Sequence, residues 1–481
     1  MNNNLGCGNE LFKQSSHPYI NKKSITTAEQ KSEALDYLNK GRDHCRGEAV
    51  EVTYYFELFT TEPPMKALVQ ATKMVLEHGT LKPWQYEGDV TLAKPPFYDK
   101  YMAWATDIHL LGYNAEQGLE NGLVTLAFPL IFFDKVAEEQ FPLAQMLMAI
   151  ASEPMTAFSF YQGAKLVDIT LPESLRKRCP GQKWPHHRIR SYLGLTEDEP
   201  IIGTIVKPKT GLTPALFSRC VVEAATAGAR FTKADENLHL SLSEIPKYVG
   251  QVVKDLEAAG FDLSRPSPPT GKAFLFAPHI TTDFNQIRDY AKAALDAGAN
   301  ALMFSPYYSG GFIKMAEIIA EFDVPVYAHT AGMNVFSGAS TWGLDARINY
   351  VLSGLFGAAF MQLTTLKGYL KPTDVEKPEI LRSLANNHLE GSNGMTLAIA
   401  GGLGPHNLGT NIIRFGKTGR MLLAGTSVYS HPDGPSAGVK ALISAYHAVN
   451  EHGITEIDSL KAFAHSQGAK GKCLMRALEN F

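Results

Sequence analysis

Lys233, Asp235 and Glu236 fall within four residues of one another in the stretch FTKADENLHL, at the end of a short apolar run. An amine and two carboxylates are costly to bury unless they are paired or bind a metal. If the run is a strand, Lys233 and Asp235 project from one face, and Glu236 lies where strand gives way to loop. Two carboxylates suit Mg2+, a hard ion that takes oxygen ligands, but a lysine ammonium beside them repels it. Two resolutions are open. Lys233 neutralises the two acids as a salt bridge, or its free amine takes up CO2 as an anionic carbamate and supplies a third oxygen ligand.

Other chemistry-bearing residues also stand where apolar runs stop. Lys207 follows PIIGTIV, His329 follows VPVYA, Gly401-Gly402 follow TLAIA, and Gly425-Thr426 follow MLLA. These runs, with ARFTK, AFLFA, ALMFS and AAFMQL, make eight, and segments of helical period such as LFSRCVVEAATAG and FNQIRDYAKAALDAG lie between them. Strand then helix, eight times over, predicts a (β/α)8 TIM barrel, whose chemistry gathers at the C-terminal ends of the strands. An open doubly wound sheet is the weaker alternative, because no GxGxxG follows the first strand. Helices are expected over 435–450 and 456–479.

Ahead of the barrel the pattern is mixed. EVTYYFEL alternates as a half-buried strand, PPMKALVQATKMVLEHG has helical spacing, and LVTLAFPLIFF reads as another strand. The fold class is therefore α/β, a C-terminal barrel preceded by a smaller α+β domain. Expected boundaries are a polar arm over 1–46, the α+β domain over 47–180, and the barrel with C-terminal helices over 181–481. The Pro- and Arg-rich stretch holding His186-His187 reads as a solvated linker. The chain has 481 residues, 45% of them hydrophobic, and a net charge of -3, so nothing in its charge favours nucleic acid. Five scattered cysteines argue against a disulfide framework. No secretory leader or membrane span is read, and a cytoplasmic location is expected.

FTKADEN resembles the activation motif of the RuBisCO large-subunit superfamily, in which a carbamylated lysine and an Asp-Glu pair bind Mg2+. GTIVKPKTGL, ALMFSPYYSGGF, AIAGGLGPH and LAGTSVYSHPDGPSAGVKA resemble that family's first, fourth, seventh and eighth strand ends. The resemblance implies a metal site of Lys233 as N6-carboxylysine with Asp235 and Glu236. It implies a catalytic lysine at Lys207 with Lys209 beside it, and a site histidine at His329. It implies a phosphate cradle at Gly401, Gly402, Gly425 and Thr426. It also implies Mg2+ and CO2 as cofactors and a homodimer or multimer of dimers.

The departures point away from carboxylation. The family's fifth-strand Arg falls on Thr330, the second His of that motif on Met333, the sixth-strand His on Gln362, and a seventh-strand Ser on Ala400. The N-terminal-domain Asn falls on Glu153, and the loop-six lysine is absent, with Lys367 standing early. Charge-assisted phosphate contacts contribute roughly 1.5–3 kcal/mol each, so losing three costs about three orders of magnitude in affinity. The expected protein is a RuBisCO-like protein of form IV type. It would run Mg2+-dependent enolase, isomerase or decarboxylase chemistry on a monophosphorylated ketose, diketose or keto acid. The proton-abstracting base would be Lys207, the carbamate of Lys233, or His329. An authentic carboxylase with atypical loop six and a non-catalytic binding barrel are the alternatives.

Overall fold

The computed structural model describes Tyr19 and residues 22–40, 47–80, 98–133, 141–196, 198–264, 272–369, 394–416 and 419–479. It separates into two compact units, residues 1–179 with 333–349, and residues 180–332 with 350–481.

The first unit is α+β. Its sheet runs in the order Trp342–Leu344, Tyr161–Thr170, Ala49–Phe59, Leu119–Pro129, Trp104–Asn114. The β-branched and aromatic run AVEVTYYFELF supplies the central strand, as its alternation predicts. Glu120, fully buried on the neighbouring strand, accepts from the backbone N–H groups of Met65 (2.8 Å) and Leu68 (2.7 Å). It thereby satisfies orphan donors at the start of the helix Lys66–Gly79. The outermost strand, Trp342–Leu344, comes from far along the chain. Buried Lys165 holds that excursion by donating to the carbonyls of Ser337 (3.1 Å) and Ala339 (2.5 Å).

The second unit is a nearly closed barrel of eight parallel strands. In chain order they are Ile201–Ile205, Phe231–Lys233, Leu275–Ala277, Leu302–Phe304, Val326–Ala328, Phe360–Thr364, Thr396–Ala400 and Arg420–Ala424. Neighbours pair in that sequence, with the eighth returning to the first. A single bridge, His279 to Met303, joins the third strand to the fourth. The barrel centre is filled by Phe231, Tyr327 and Phe360, with ring centroids 5.0 to 6.3 Å apart.

Two sequence expectations need correction. The stretch around His186 is no solvated linker. Residues His186–Leu193 form a helix whose Ile189, Tyr192 and Leu193 join Trp184 in the barrel core. Nδ1 of His186 hydrogen-bonds Thr396 Oγ1 at 2.8 Å, and burial pushes this histidine down to about 4. The apolar residues carry that helix into the core in spite of its basic neighbours. The helix expected over 456–479 is broken into Ile457–Ser466, a 3-10 turn Gly468–Gly471 and Lys472–Ala477. Gly468 turns the chain at φ +56, and Gly471 approaches Ala464 so closely that a Cβ there would lie 1.8 Å from its carbonyl oxygen. Among the described residues no helix is long and apolar enough to cross a membrane.

Candidate active site

Strand alternation delivers the site. Phe231 faces the barrel core, so Lys233, two residues on, also points inward. Tyr327 in the same way carries His329 inward. Lys233 is fully buried, with Nζ 3.6 Å from Glu236 Oε2 and 3.4 Å from the carbonyl of Ala234. Asp235, 1% exposed, accepts through Oδ1 from Asn237 N (3.0 Å) and Nδ2 (3.3 Å), and Lys207 Nζ donates to its Oδ2. His329 Nε2 lies 3.4 Å from Glu236 Oε2. The structure thus brings Lys207, Lys233, Asp235, Glu236 and His329 into one cluster at the C-terminal mouth.

Burial decides the electrostatics. It lowers the Lys233 amine to about 8, against the pull of Glu236 and Asp235 toward the charged form. Burial alone would raise the Glu236 carboxyl, but Lys233, a backbone N–H, Lys207 and Lys209 outweigh it and hold it below the ordinary value. His329 is driven well below the usual histidine range by burial, with Lys233 and His279 adding to the effect, so its ring is neutral. Its Nδ1 accepts the N–H of Ala331 at 3.0 Å. The ring proton therefore sits on Nε2, aimed at Glu236.

The glycine loops lie at adjacent strand ends. A Cβ built on Gly425 would meet Lys207 Cε at 3.3 Å, so the lysine stem lies against that loop. Gly402 has φ +90, and a Cβ there would meet Tyr369 Cδ1 at 2.9 Å. Asn407 Nδ2 ties the carbonyls of Gly402 (2.9 Å) and Lys367 (3.2 Å), fixing loop six against the seventh-strand turn. Lys209 and the side chain of Lys367 are exposed, and only the charge of Lys209 reaches the cluster. Gln362 Oε1 accepts from the buried Tyr327 hydroxyl at 3.1 Å. We expect Gly402→Ala to cost about 1–3 kcal/mol of stability through its left-handed backbone and close neighbour. The thermal shift produced by inorganic phosphate should shrink with it, and an undiminished shift would remove Gly402 from the phosphate cradle.

Sequence reasoning missed His279. Leu275 and Ala277 face the core, and Met303, the bridge partner of His279, does too. The period-two signal in LFAPH was present in the sequence, but a histidine beyond a proline gave no reason to extend the strand. Thr80 accepts from Ala103 N at 3.2 Å within the first unit, and Glu77 pairs with Lys73 at 3.9 Å. The side chain of Glu153 lies outside the described residues.

The donor set fits Mg2+ on one condition. Lys207 and Lys233 balance Asp235 and Glu236, so a dication alone would leave two uncompensated charges in a buried cluster. Turning the Lys233 ammonium into a carbamate changes its charge by the same two, and adds the hard oxygen ligand that two carboxylates lack. A carbamate on Lys233 would supply a third oxygen ligand beside Asp235 and Glu236.

A family profile described as ribulose bisphosphate carboxylase large chain, catalytic domain, matches residues 187–481. The chain is 25% identical over 375 residues to the ribulose bisphosphate carboxylase of Methanocaldococcus jannaschii, covering 75% of this chain and 84% of that protein. It is 27% identical over 332 residues to the 3-oxo-isoapionate-4-phosphate decarboxylase of Rhizobium rhizogenes, covering 68% and 74%. To the 2,3-diketo-5-methylthiopentyl-1-phosphate enolase of Microcystis aeruginosa it is 29% identical over 324 residues, covering 65% and 78%. The crystal structure of a rubisco-like protein from Burkholderia fungorum superposes with a TM-score of 0.71 at 23% identity, over 90% of this chain and all of that one, a likeness of fold.

Proposed function

The chain belongs to the ribulose bisphosphate carboxylase large-chain family, and from that premise we propose that it performs enolisation-based chemistry on a monophosphorylated ketose, diketose or keto acid, without carboxylating ribulose bisphosphate. The observation that carries the reading is Lys233, a fully buried amine lowered to about 8 and lying 3.6 Å from Glu236 Oε2. A structural salt bridge gains nothing from such a shift, whereas uptake of CO2 requires the neutral amine.

In this reading carbamylated Lys233, Asp235 and Glu236 hold Mg2+, and the backbone N–H groups at Gly401, Gly402, Gly425 and Thr426 hold the phosphate. The ion, when bound, supplies Lewis-acid polarisation of the substrate's adjacent oxygens. Lys207 runs from the Gly425 loop to Asp235. A lysine beside a bound Mg2+ has its ammonium form disfavoured, and in that state the neutral amine would be placed to take the carbon-bound proton between phosphate and carbonyl. His329 offers its Nε2 proton to an oxygen beside Glu236. At the far end Gln362 presents a neutral amide tethered by Tyr327, which favours an uncharged group over a second phosphate. Relatives named as an enolase and as a decarboxylase, both of monophosphates, support this class of substrate. The assembly in this reading is a homodimer or multimer of dimers, without nucleic acid or membrane partners. Free Cys179, Cys220 and Cys473 suit the cytoplasm.

The test is deuterium incorporation, followed by NMR, across a panel of phosphorylated ketoses, diketoses and keto acids with Mg2+ and bicarbonate. Exchange on a monophosphate is expected, and its absence throughout the panel would defeat the reading. Activation should also follow pH. The Lys233 amine is neutral above its folded value and charged below it, so carbamylation rises with pH through about 8. Carbon-13 NMR of the carbamate against pH checks this, and a flat response between pH 6 and 9 (about three decades in proton activity) would contradict it. Between about 8 and the ordinary 10.5, the unfolded chain binds more protons at this lysine, so stability of the uncarbamylated protein rises across that window.

A further inference from the structure

Two imidazoles stand at the barrel mouth with opposite hydrogen-bond patterns. His329 accepts the Ala331 N–H through Nδ1 at 3.0 Å. That lone pair is spent, and its Nε2 carries the proton. His279 has the reverse arrangement. Its Nδ1 lies 3.3 Å from the carbonyl oxygen of Leu238. A carbonyl can only accept, so Nδ1 carries the proton and Nε2 keeps its lone pair. An imidazole takes up a proton only through such a lone pair.

His279 also occupies the right place. It is two residues beyond core-facing Ala277, which pairs with Lys233 across the sheet. Its bridge partner Met303 is a core residue. Burial lowers it to about 4, opposed by its bond to Leu238 and assisted by Lys233 and His239, with Glu236 pulling the other way. The ring is therefore neutral at physiological pH. Lys207, the base in the enolisation reading, follows the first strand, whereas His279 follows the third, so the two approach the Lys233 cluster from opposite sides of the second.

We propose that His279 is a second proton acceptor of this site, taking the proton of a substrate hydroxyl next to the carbonyl, while His329 acts as a donor. This rests on the enolisation reading above. The hydroxyl O–H bond breaks, its electron pair stays on oxygen as the enediolate forms, and the proton goes to His279 Nε2. The resulting imidazolium returns it when the product is protonated.

The variant His279→Asn keeps a donor toward Leu238 and removes the basic nitrogen. It should lower deuterium exchange on hydroxyketone phosphates by about a hundredfold or more, with KM and melting temperature close to the parent. Diketone phosphates, which lack the hydroxyl, should exchange as in the parent. Added imidazole should restore exchange to His279→Ala, as a merely structural role would not allow. Exchange in His279→Asn within about threefold of the parent on hydroxyketones would overturn the assignment. So would a loss that imidazole fails to restore. If the parent itself exchanges nothing, the enolisation reading fails, and nitrogen-15 NMR of labelled histidines decides the tautomers separately. An unprotonated Nε2 on His279 with a protonated Nε2 on His329 upholds the assignment of the free lone pair, and the reverse pattern overturns it.

Discussion

Replacing Lys233 with alanine should lower Mg2+- and CO2-dependent proton exchange by about three orders of magnitude or more, the equivalent of several kcal/mol of lost Lewis-acid stabilisation. Alanine removes the only nitrogen at this position that can become an oxygen ligand, and leaves Asp235 and Glu236 as two carboxylates facing Lys207. Calorimetry should show Mg2+ affinity falling in parallel, and bicarbonate should no longer enhance it. The companion variant Lys233→Met separates the two original readings of the lysine. Methionine fills the buried space without a charge to desolvate, so the fold should survive while activation disappears. If Lys233→Ala keeps exchange within about tenfold of the parent, the lysine is a structural counter-ion and the metal reading falls.

Asp235→Asn carries the second large effect, and it acts on stability and chemistry together. Asp235 is 1% exposed and accepts from Lys207 and twice from Asn237. The amide removes the charge that pairs Lys207, and removing one partner of a buried pair costs about 3–5 kcal/mol. Lys207 keeps 21% exposure, so solvent recovers part of that and the lower end is expected. Thermal denaturation measures this cost, and titration with Mg2+ should show binding weakened at the same time. A variant with parent stability and parent Mg2+ affinity would show that Asp235 is neither the partner of Lys207 nor a ligand.

The two variants separate what was legible in the sequence from what was not. The FTKADEN stretch announced itself by residue type, because an amine and two acids at a strand end need a reason. The glycine pairs could be placed at the seventh and eighth strand ends because apolar runs stop sharply there. The partner of Lys207 could not be read. Lys207 and Asp235 are far apart in sequence, and only the pairing of the first two barrel strands, Ile205 beside Lys233, sets them side by side. His279 escaped for a related reason. Its period-two position could be read in LFAPH, but that pairing continues past Pro278 is shown only by the bridge to Met303 on another strand.

The sequence by itself determined the eight strand-helix units, the placing of Lys233 and His329 at strand ends, and the family. Each depends on local periodicity or on residues that stand together along the chain, and side-chain direction on a strand repeats every two residues whatever the tertiary setting. Tertiary structure alone decided that residues 333–349 join the first unit and add the strand Trp342–Leu344 to its sheet, that the stretch around His186 is buried, and which nitrogen of each histidine carries its proton. Each of these is fixed by a burial environment or a hydrogen-bond partner that the fold must first bring into place.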